Sequence, residues 1–174
     1  ETALALAEEL FWERPNLTQY QELQNIAKSL DNWPALHETI LTRLSQEGKT
    51  NLLIQIHLEE GDVGSALLTL GSRAASRQAE RYYAYGPSMR LQVARAAEPD
   101  YPREAIDLYL QAVDSLVAQR GRGNYATAAT YLQRVRGIYR RLNEEERWQK
   151  LIATLREEYR RLPACQDEFN KAGL

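Results

Sequence analysis

Arg103-Glu-Ala-Ile-Asp-Leu-Tyr-Leu-Gln-Ala-Val-Asp-Ser-Leu-Val-Ala-Gln-Arg120, followed by Gly121-Arg-Gly-Asn-Tyr-Ala-Thr-Ala-Ala-Thr-Tyr-Leu-Gln-Arg-Val-Arg-Gly-Ile-Tyr-Arg-Arg-Leu142, decides the fold class. In the first half Ile106, Tyr109, Leu110, Val113, Leu116 and Val117 recur at the spacing of one helix face. Leu108 and Ala112 widen that face, so the helix is expected to pack on two sides. In the second half Tyr125, Ala128, Leu132, Val135, Tyr139 and Leu142 do the same. The spacing predicts helices over 103–120 and 125–142, joined by the turn Arg120-Gly121-Arg122-Gly123-Asn124.

A third helix is expected over 144–161, with Trp148, Leu151, Ile152, Leu155 and Tyr159 on one face. Asn143 and Glu146 have capping-box spacing, and Glu144–Glu146 at the start and Arg160-Arg161 at the end suit the helix dipole. Upstream, Glu98-Pro-Asp-Tyr-Pro102 forbids helix continuation and reads as a boundary between subdomains. A helix over 74–85 is expected to stop at Gly86-Pro87. Asp62 is expected to cap a short helix bearing Val63, Ala66, Leu67 and Leu70. Leu36, Ile40 and Leu44 stripe another that ends by Gly48. Thr18 is expected to cap one with Tyr20, Leu23, Ala27 and Leu30 on its inner face, after the break at Arg14-Pro15-Asn16 that closes the Leu4–Trp12 run.

Residues 52–58 alternate as a strand would, with Leu52, Ile54, Ile56 and Leu58 on one side. A lone strand among helices has no partner for its ladder bonds, so the segment is read as helix. Gly61-Asp-Val-Gly-Ser-Ala66 and Asn124-Tyr-Ala-Thr-Ala128 each set a small residue on the packing face just after a turn, where close helix approach requires one. The resulting expectation is an all-α fold of stacked α-hairpins, an irregular tetratricopeptide-like helical solenoid. It forms a single helical-repeat domain over 1–174, with a subdomain boundary at 98–102. Short helices fill 1–97; three longer helices and a C-terminal helix fill 103–174.

Composition narrows the function classes. Nine glycines and six prolines are too few for a turn-rich all-β fold. The one cysteine, Cys165, permits neither an internal disulfide nor a thiolate-rich metal site, which suits a reducing cytoplasm. No apolar run of about 18 residues appears, so no membrane span is expected. The chain opens Glu1-Thr-Ala-Leu, without a signal peptide or an initiator methionine, and reads as a fragment of something longer.

Net charge is −2 but unevenly placed. Residues 1–72 carry eleven acidic and four basic side chains, and residues 120–161 carry five acidic and eleven basic. Between Arg120 and Asn143 there is no acidic residue, and Arg120, Arg122, Arg134, Arg136, Arg140 and Arg141 are the candidate contacts for an anion or a nucleic acid. On a helical wheel Arg134 and Arg141 lie along one margin of the apolar face, Arg136 and Arg140 along the other. That arrangement favours guanidinium groups pairing with nearby carboxylates, Glu157, Glu158 or the acidic N-terminal half, over a single basic stripe. Gly121-Arg122-Gly123 stands just before a helix N-terminus and could hold an anion there, but a capping glycine in a turn is the commoner use.

Catalytic constellations are missing from the pattern. His37-Glu38 begins like a zinc-protease motif, yet position 41 is leucine where the second histidine belongs. His57 has carboxylates nearby but no second imidazole along its helix, and Cys165 has no histidine near it in sequence. No Gly-x-Ser-x-Gly elbow or phosphate loop occurs. No enzymatic activity, cofactor or metal is expected in this chain.

Several segments do resemble a known family. Tyr101-Pro-Arg-Glu-Ala-Ile-Asp-Leu-Tyr109, Leu116-Val-Ala-Gln-Arg-Gly-Arg-Gly-Asn-Tyr125, Tyr131-Leu-Gln-Arg-Val-Arg-Gly-Ile-Tyr139, Trp148, Leu155-Arg156 and Leu162 to Leu174 resemble the C-terminal helical region of bacterial SWIM zinc-finger proteins. The ending Lys171-Ala-Gly-Leu174 resembles the C-terminus of such proteins. The resemblance implies a trailing helical domain whose Cys-x-Cys and Cys-x-His finger would lie upstream of Glu1. It carries over no catalytic or metal-binding residue. The expected function is therefore a non-catalytic protein-interaction or scaffold domain with a protein partner. The alternative is an auxiliary nucleic-acid-binding surface on the arginine-rich 120–161 region.

Overall fold

A computed structural model describes residues 2–72 and 87–174, and there the chain is all-α: ten helices and no strand among the described residues. They are α1 (Thr2–Glu13), α2 (Leu17–Ser29), α3 (Trp33–Gln46), α4 (Thr50–Glu59), α5 (Val63–Ser72), α6 (Pro87–Ala97), α7 (Pro102–Gln119), α8 (Arg122–Arg141), α9 (Glu145–Glu158) and α10 (Pro163–Lys171). The helix expected over 74–85 lies outside the described residues. None of the described helices is long and apolar enough to cross a membrane.

The chain forms two compact units, Glu1–Ala84 and Tyr85–Leu174. In the first, α2 packs on α1, α3 and α4, and α4 also packs on α3 and α5. Phe11, Tyr20, Leu23, Ile40, Leu44, Leu52, Leu53 and Ile56 form its core, with Trp12, Trp33 and Leu36 partly buried against it. Residues 52–58 are helical. α4 buries Leu52, Leu53, Ile54, Ile56 and His57, a face so wide that its pattern imitates strand alternation. Three neighbours around one short helix explain that width.

In the second unit α7 lies between α6 and α8, and α8 also meets α9 and α10. Both central helices are accordingly buried beyond one stripe. α7 hides Ala105 and Leu108 as well as Ile106, Tyr109, Val113 and Val117, and α8 hides Ala129 and Ile138 beside the expected Leu132 and Val135. The turn 98–102 lies inside this unit and joins α6 to α7, which pack together. Two prolines stop a helix without parting it from its neighbour: Tyr101 N donates back to Ala97 O at 2.8 Å, and Pro102 begins α7, where its missing N–H costs nothing. Ala66 and Ala128, the small residues after turns, are completely buried.

Helix ends depart from expectation in four places. α2 is capped by Asn16, whose Oδ1 accepts from Gln19 N at 3.0 Å, so Thr18 is already helical. Leu30 falls just past the end of α2 and is exposed. Asn143 does not cap α9 through a capping box; it takes φ 56° after the end of α8, the left-handed position that asparagine tolerates, and Glu144 precedes α9 without a side-chain cap. α8 starts at Arg122, three residues earlier than the apolar pattern shows. Asp62 does cap α5, accepting from Ser65 N at 3.0 Å.

Replacing Asn16 by alanine is expected to cost about 1 kcal/mol of stability in urea unfolding, whereas Thr18→Ala should stay within about 0.5 kcal/mol. An equal loss from Thr18→Ala would place the cap at residue 18.

Candidate functional site

The arginines of the acid-free segment are drawn to partners within their own unit. Arg134 Nη1 donates to Glu98 Oε1 at 3.0 Å. Arg141 Nη2 donates to the Glu98 main-chain carbonyl at 3.1 Å and lies 3.8 Å from Glu98 Oε2. The Tyr109 hydroxyl donates to the same Glu98 Oε1 at 2.6 Å. Glu98, whose side chain is only 17% exposed, thus ties the end of α6 to α7 and α8. Burial, and then the Glu98 hydrogen bond, push the Tyr109 phenol up to about 12; the same carboxylate raises the Arg134 guanidinium.

The opposite margin of α8 serves the chain end. Arg136 Nη1 donates to Gly173 O at 3.1 Å, and Gln133 Nε2 to Ala172 O at 2.9 Å. From α9, Arg156 Nη2 donates to Leu174 O and to Asn170 Oδ1 at 2.9 Å, while Nη1 donates to Gln166 Oε1 at 3.1 Å. Three side chains therefore hold the carbonyls of residues 172, 173 and 174. Arg140 Nε lies 4.0 Å from Glu145 Oε2, a contact at the outer limit of an ion pair.

At the start of α8, Arg122 Nη1 meets Asp167 Oδ2 at 2.7 Å and Glu168 Oε1 at 3.1 Å on α10. Both carboxylates are held below their usual range, by Arg122 first and then Lys171 at Asp167, and in the reverse order at Glu168. The arginine next to Gly121 thus meets side-chain acids from α10. Arg120 ends α7 with φ 59° and ψ 176°, a conformation that suits glycine and strains any residue with a Cβ.

Sequence spacing identifies the arginines and their two margins but not their partners. Glu157 pairs with Arg160, one turn away, and not with α8. Glu98, Asp167 and Glu168 lie 36 to 46 residues from the arginines they bind. No local signal marks such pairings, and Glu98 reads in sequence only as a residue before a break.

Other reactive groups are also occupied or enclosed. The Cys165 thiol is fully buried, and burial pushes its pKa up, away from the nucleophilic thiolate. Both histidines of the chain belong to the first unit. There the Tyr20 hydroxyl donates to Glu60 Oε1 at 2.5 Å, and His37 Nε2 lies 3.1 Å from Glu60 Oε2. Among the described residues no group of three or more histidine, cysteine, aspartate and glutamate side chains is arranged to hold a metal ion.

Comparison with known proteins adds one partial relative. No family model matches the chain, and no solved structure does. The chain is similar to the uncharacterized protein YwqB of Bacillus subtilis (strain 168), at 33% identity over 73 residues. That alignment covers 42% of this chain and 14% of YwqB.

Two substitutions test the geometry. Glu98→Ala leaves the buried Tyr109 hydroxyl without its acceptor and should cost about 2–3 kcal/mol, read from the urea transition of the buried Trp148 indole; Glu157→Ala should cost less than about 0.5 kcal/mol. Arg120→Gly relieves the left-handed strain and should raise stability by about 1 kcal/mol in the same measurement. Loss of stability on Arg120→Gly would mean that its side chain contributes more than its backbone conformation costs.

Proposed function

We propose that this chain is a non-catalytic helical scaffold that binds a protein partner, the trailing helical part of a SWIM zinc-finger protein working in the cytoplasm. One observation carries the non-catalytic reading: side chains able to do chemistry are engaged in joining helices. The tyrosine hydroxyls of Tyr20, Tyr109 and Tyr159 each donate to a carboxylate on another part of the same unit. Arg122, Arg134 and Arg136 bind acids or main-chain carbonyls, and Cys165 is enclosed.

Most consecutive helices in each unit pack against one another around short turns, the arrangement from which helical-repeat scaffolds build extended binding faces, although α10 packs on α8. Apolar side chains for such a face are present: Leu6 and Leu10, one turn apart on α1, are 57% and 47% exposed, and Leu68 on α5 is 75% exposed. The resemblance of 101–174 to the SWIM-protein C-terminal region supports the family reading. The partner then meets the helices, and the zinc finger belongs to another part of the protein.

Nucleic-acid binding is the competing reading, and salt separates the two. Each phosphate contact made by an arginine releases counterions, so affinity for DNA or RNA would fall steeply between about 50 and 200 mM salt. The scaffold reading expects no shift of duplex DNA or single-stranded RNA in a low-salt gel. It also expects a protein recovered stoichiometrically by the wild-type chain, after nuclease treatment, to be lost with the Leu6→Ser/Leu10→Ser double variant. A salt-steep nucleic-acid shift would replace it. So would recovery of the same protein by both chains with the leucine, Arg134 and Arg136 surfaces all indifferent.

A further inference from the structure

The chain has two histidines, twenty residues apart in sequence, and the fold brings both to one corner of the first unit. His57 lies on α4 with 8% of its surface exposed, and its Nδ1 is buried with no hydrogen-bond partner among the described residues. Its main-chain carbonyl accepts from Asp62 N at 2.8 Å, the bond that closes the end of α4 before α5. From α3, His37 reaches Glu60 Oε2 through Nε2 at 3.1 Å, with its ring 5.1 Å from Trp33. From α2, the Tyr20 hydroxyl occupies the other oxygen of Glu60 at 2.5 Å, and Gln21 Nε2 binds Glu59 at 2.8 Å. α5, Val63–Ser72, contributes no charged side chain; Asp62 at its cap does.

We propose that this corner is an acid-sensitive switch, in which protonation of His57 releases the end of α4 from α2, α3 and α5. A neutral imidazole can stay under α4 with one nitrogen unsatisfied, whereas an imidazolium there needs two acceptors and solvent. The acceptors nearest in charge are already used. Glu60 is shared by Tyr20 and His37, and Asp62 accepts from Ser65 N as the cap of α5. His37 is more open and sits beside Glu60, and a positive charge on its ring opposes a proton on His57.

Burial, the largest influence, lowers the affinity of His57 for a proton; Asp62 and Glu60 raise it, and His37 lowers it again. The sign follows from linkage. The unfolded chain binds a proton at His57 near the ordinary value of about 6.5, before the folded chain does, so stability from this group is present above that pH and is lost as pH falls below it. The depressed titration of the Asp62 carboxylate acts in the same direction, but at lower pH, in the carboxylate range. Histidine is the side chain that titrates between about pH 7 and pH 5, so the window is set by His57.

NMR of the intact chain reads the switch directly. Two imidazole Hε1 signals report the two histidines, and the Trp12 and Trp33 indole N–H signals report the first unit while Trp148 reports the second. On titration from pH 7 to about pH 5, the His57 signal should move only below the ordinary imidazole value of about 6.5. The native Trp12 and Trp33 signals should be lost with His57, and Trp148 should stay native. His37→Gln should move the His57 titration upward, because a competing cation is gone and Glu60 is freed. His57→Gln should push the loss of Trp12 and Trp33 signals down into the carboxylate range, below about pH 5. The proposal fails if His57 titrates at or above the ordinary value, if Trp148 is lost together with Trp12 and Trp33, or if His37→Gln leaves His57 unmoved. The wild-type titration and the His37 variant decide the matter even where His57→Gln does not fold.

Discussion

A phenol packed into a helical core must still find a hydrogen-bond acceptor, and this chain answers that requirement the same way in both units. Tyr20 on α2 donates to Glu60 at the end of α4, Tyr109 on α7 to Glu98 after α6, and Tyr159 after α9 to Asp114 on α7. Each bond crosses from one helix to another, so helix positions are fixed by the need to satisfy a buried polar group as well as by apolar packing. The acceptors are carboxylates, and a half-buried carboxylate in turn needs positive charge or donors around it. Much of the polar structure follows from that second need.

In the second unit arginine supplies it. Glu98 collects Tyr109, Arg134 and Arg141, which places α6, α7 and α8 around one side chain. The acid-free run of α8 is then a consequence of geometry: the helix faces acids that belong to its neighbours, and a local acid would compete for the same guanidinium groups. Arg136 and Arg156 extend the pattern to main-chain oxygens of the last residues. In the first unit no arginine among the described residues reaches Glu60; a histidine does, and that exchange of a permanent charge for a titratable one is what makes the corner around His57 responsive to acid.

Much of the architecture was legible in the residues. The helical periodicity of 103–142, the cap at Asp62 and the small residues Ala66 and Ala128 all have local physical causes, and all appear as read; the proline-bound turn at 98–102 does break the helix, but it lies inside the second unit and not at a boundary. The caps at Thr18 and Asn143 did not, because several side chains near a helix start can cap it and backbone conformation chooses among them. Asn16 already had the extended φ of −151° that a cap needs, and Asn143 had the left-handed one that ends a helix instead. The placement of arginines on two margins of α8 was also readable. Their carboxylate partners were not, since ion pairs between helices leave no periodic trace.

Local sequence thus determined that the chain is helical, where most helices begin and end, and which arginines flank an apolar face. Those properties depend on interactions within about one turn, which short-range spacing encodes. Only the tertiary structure decided that Glu98 and not Glu157 receives the arginines, and that His37 and His57 share a corner. Side chains tens of residues apart meet only when whole helices pack, and the packing is chosen by the summed burial of many apolar residues and not by the charged pair itself.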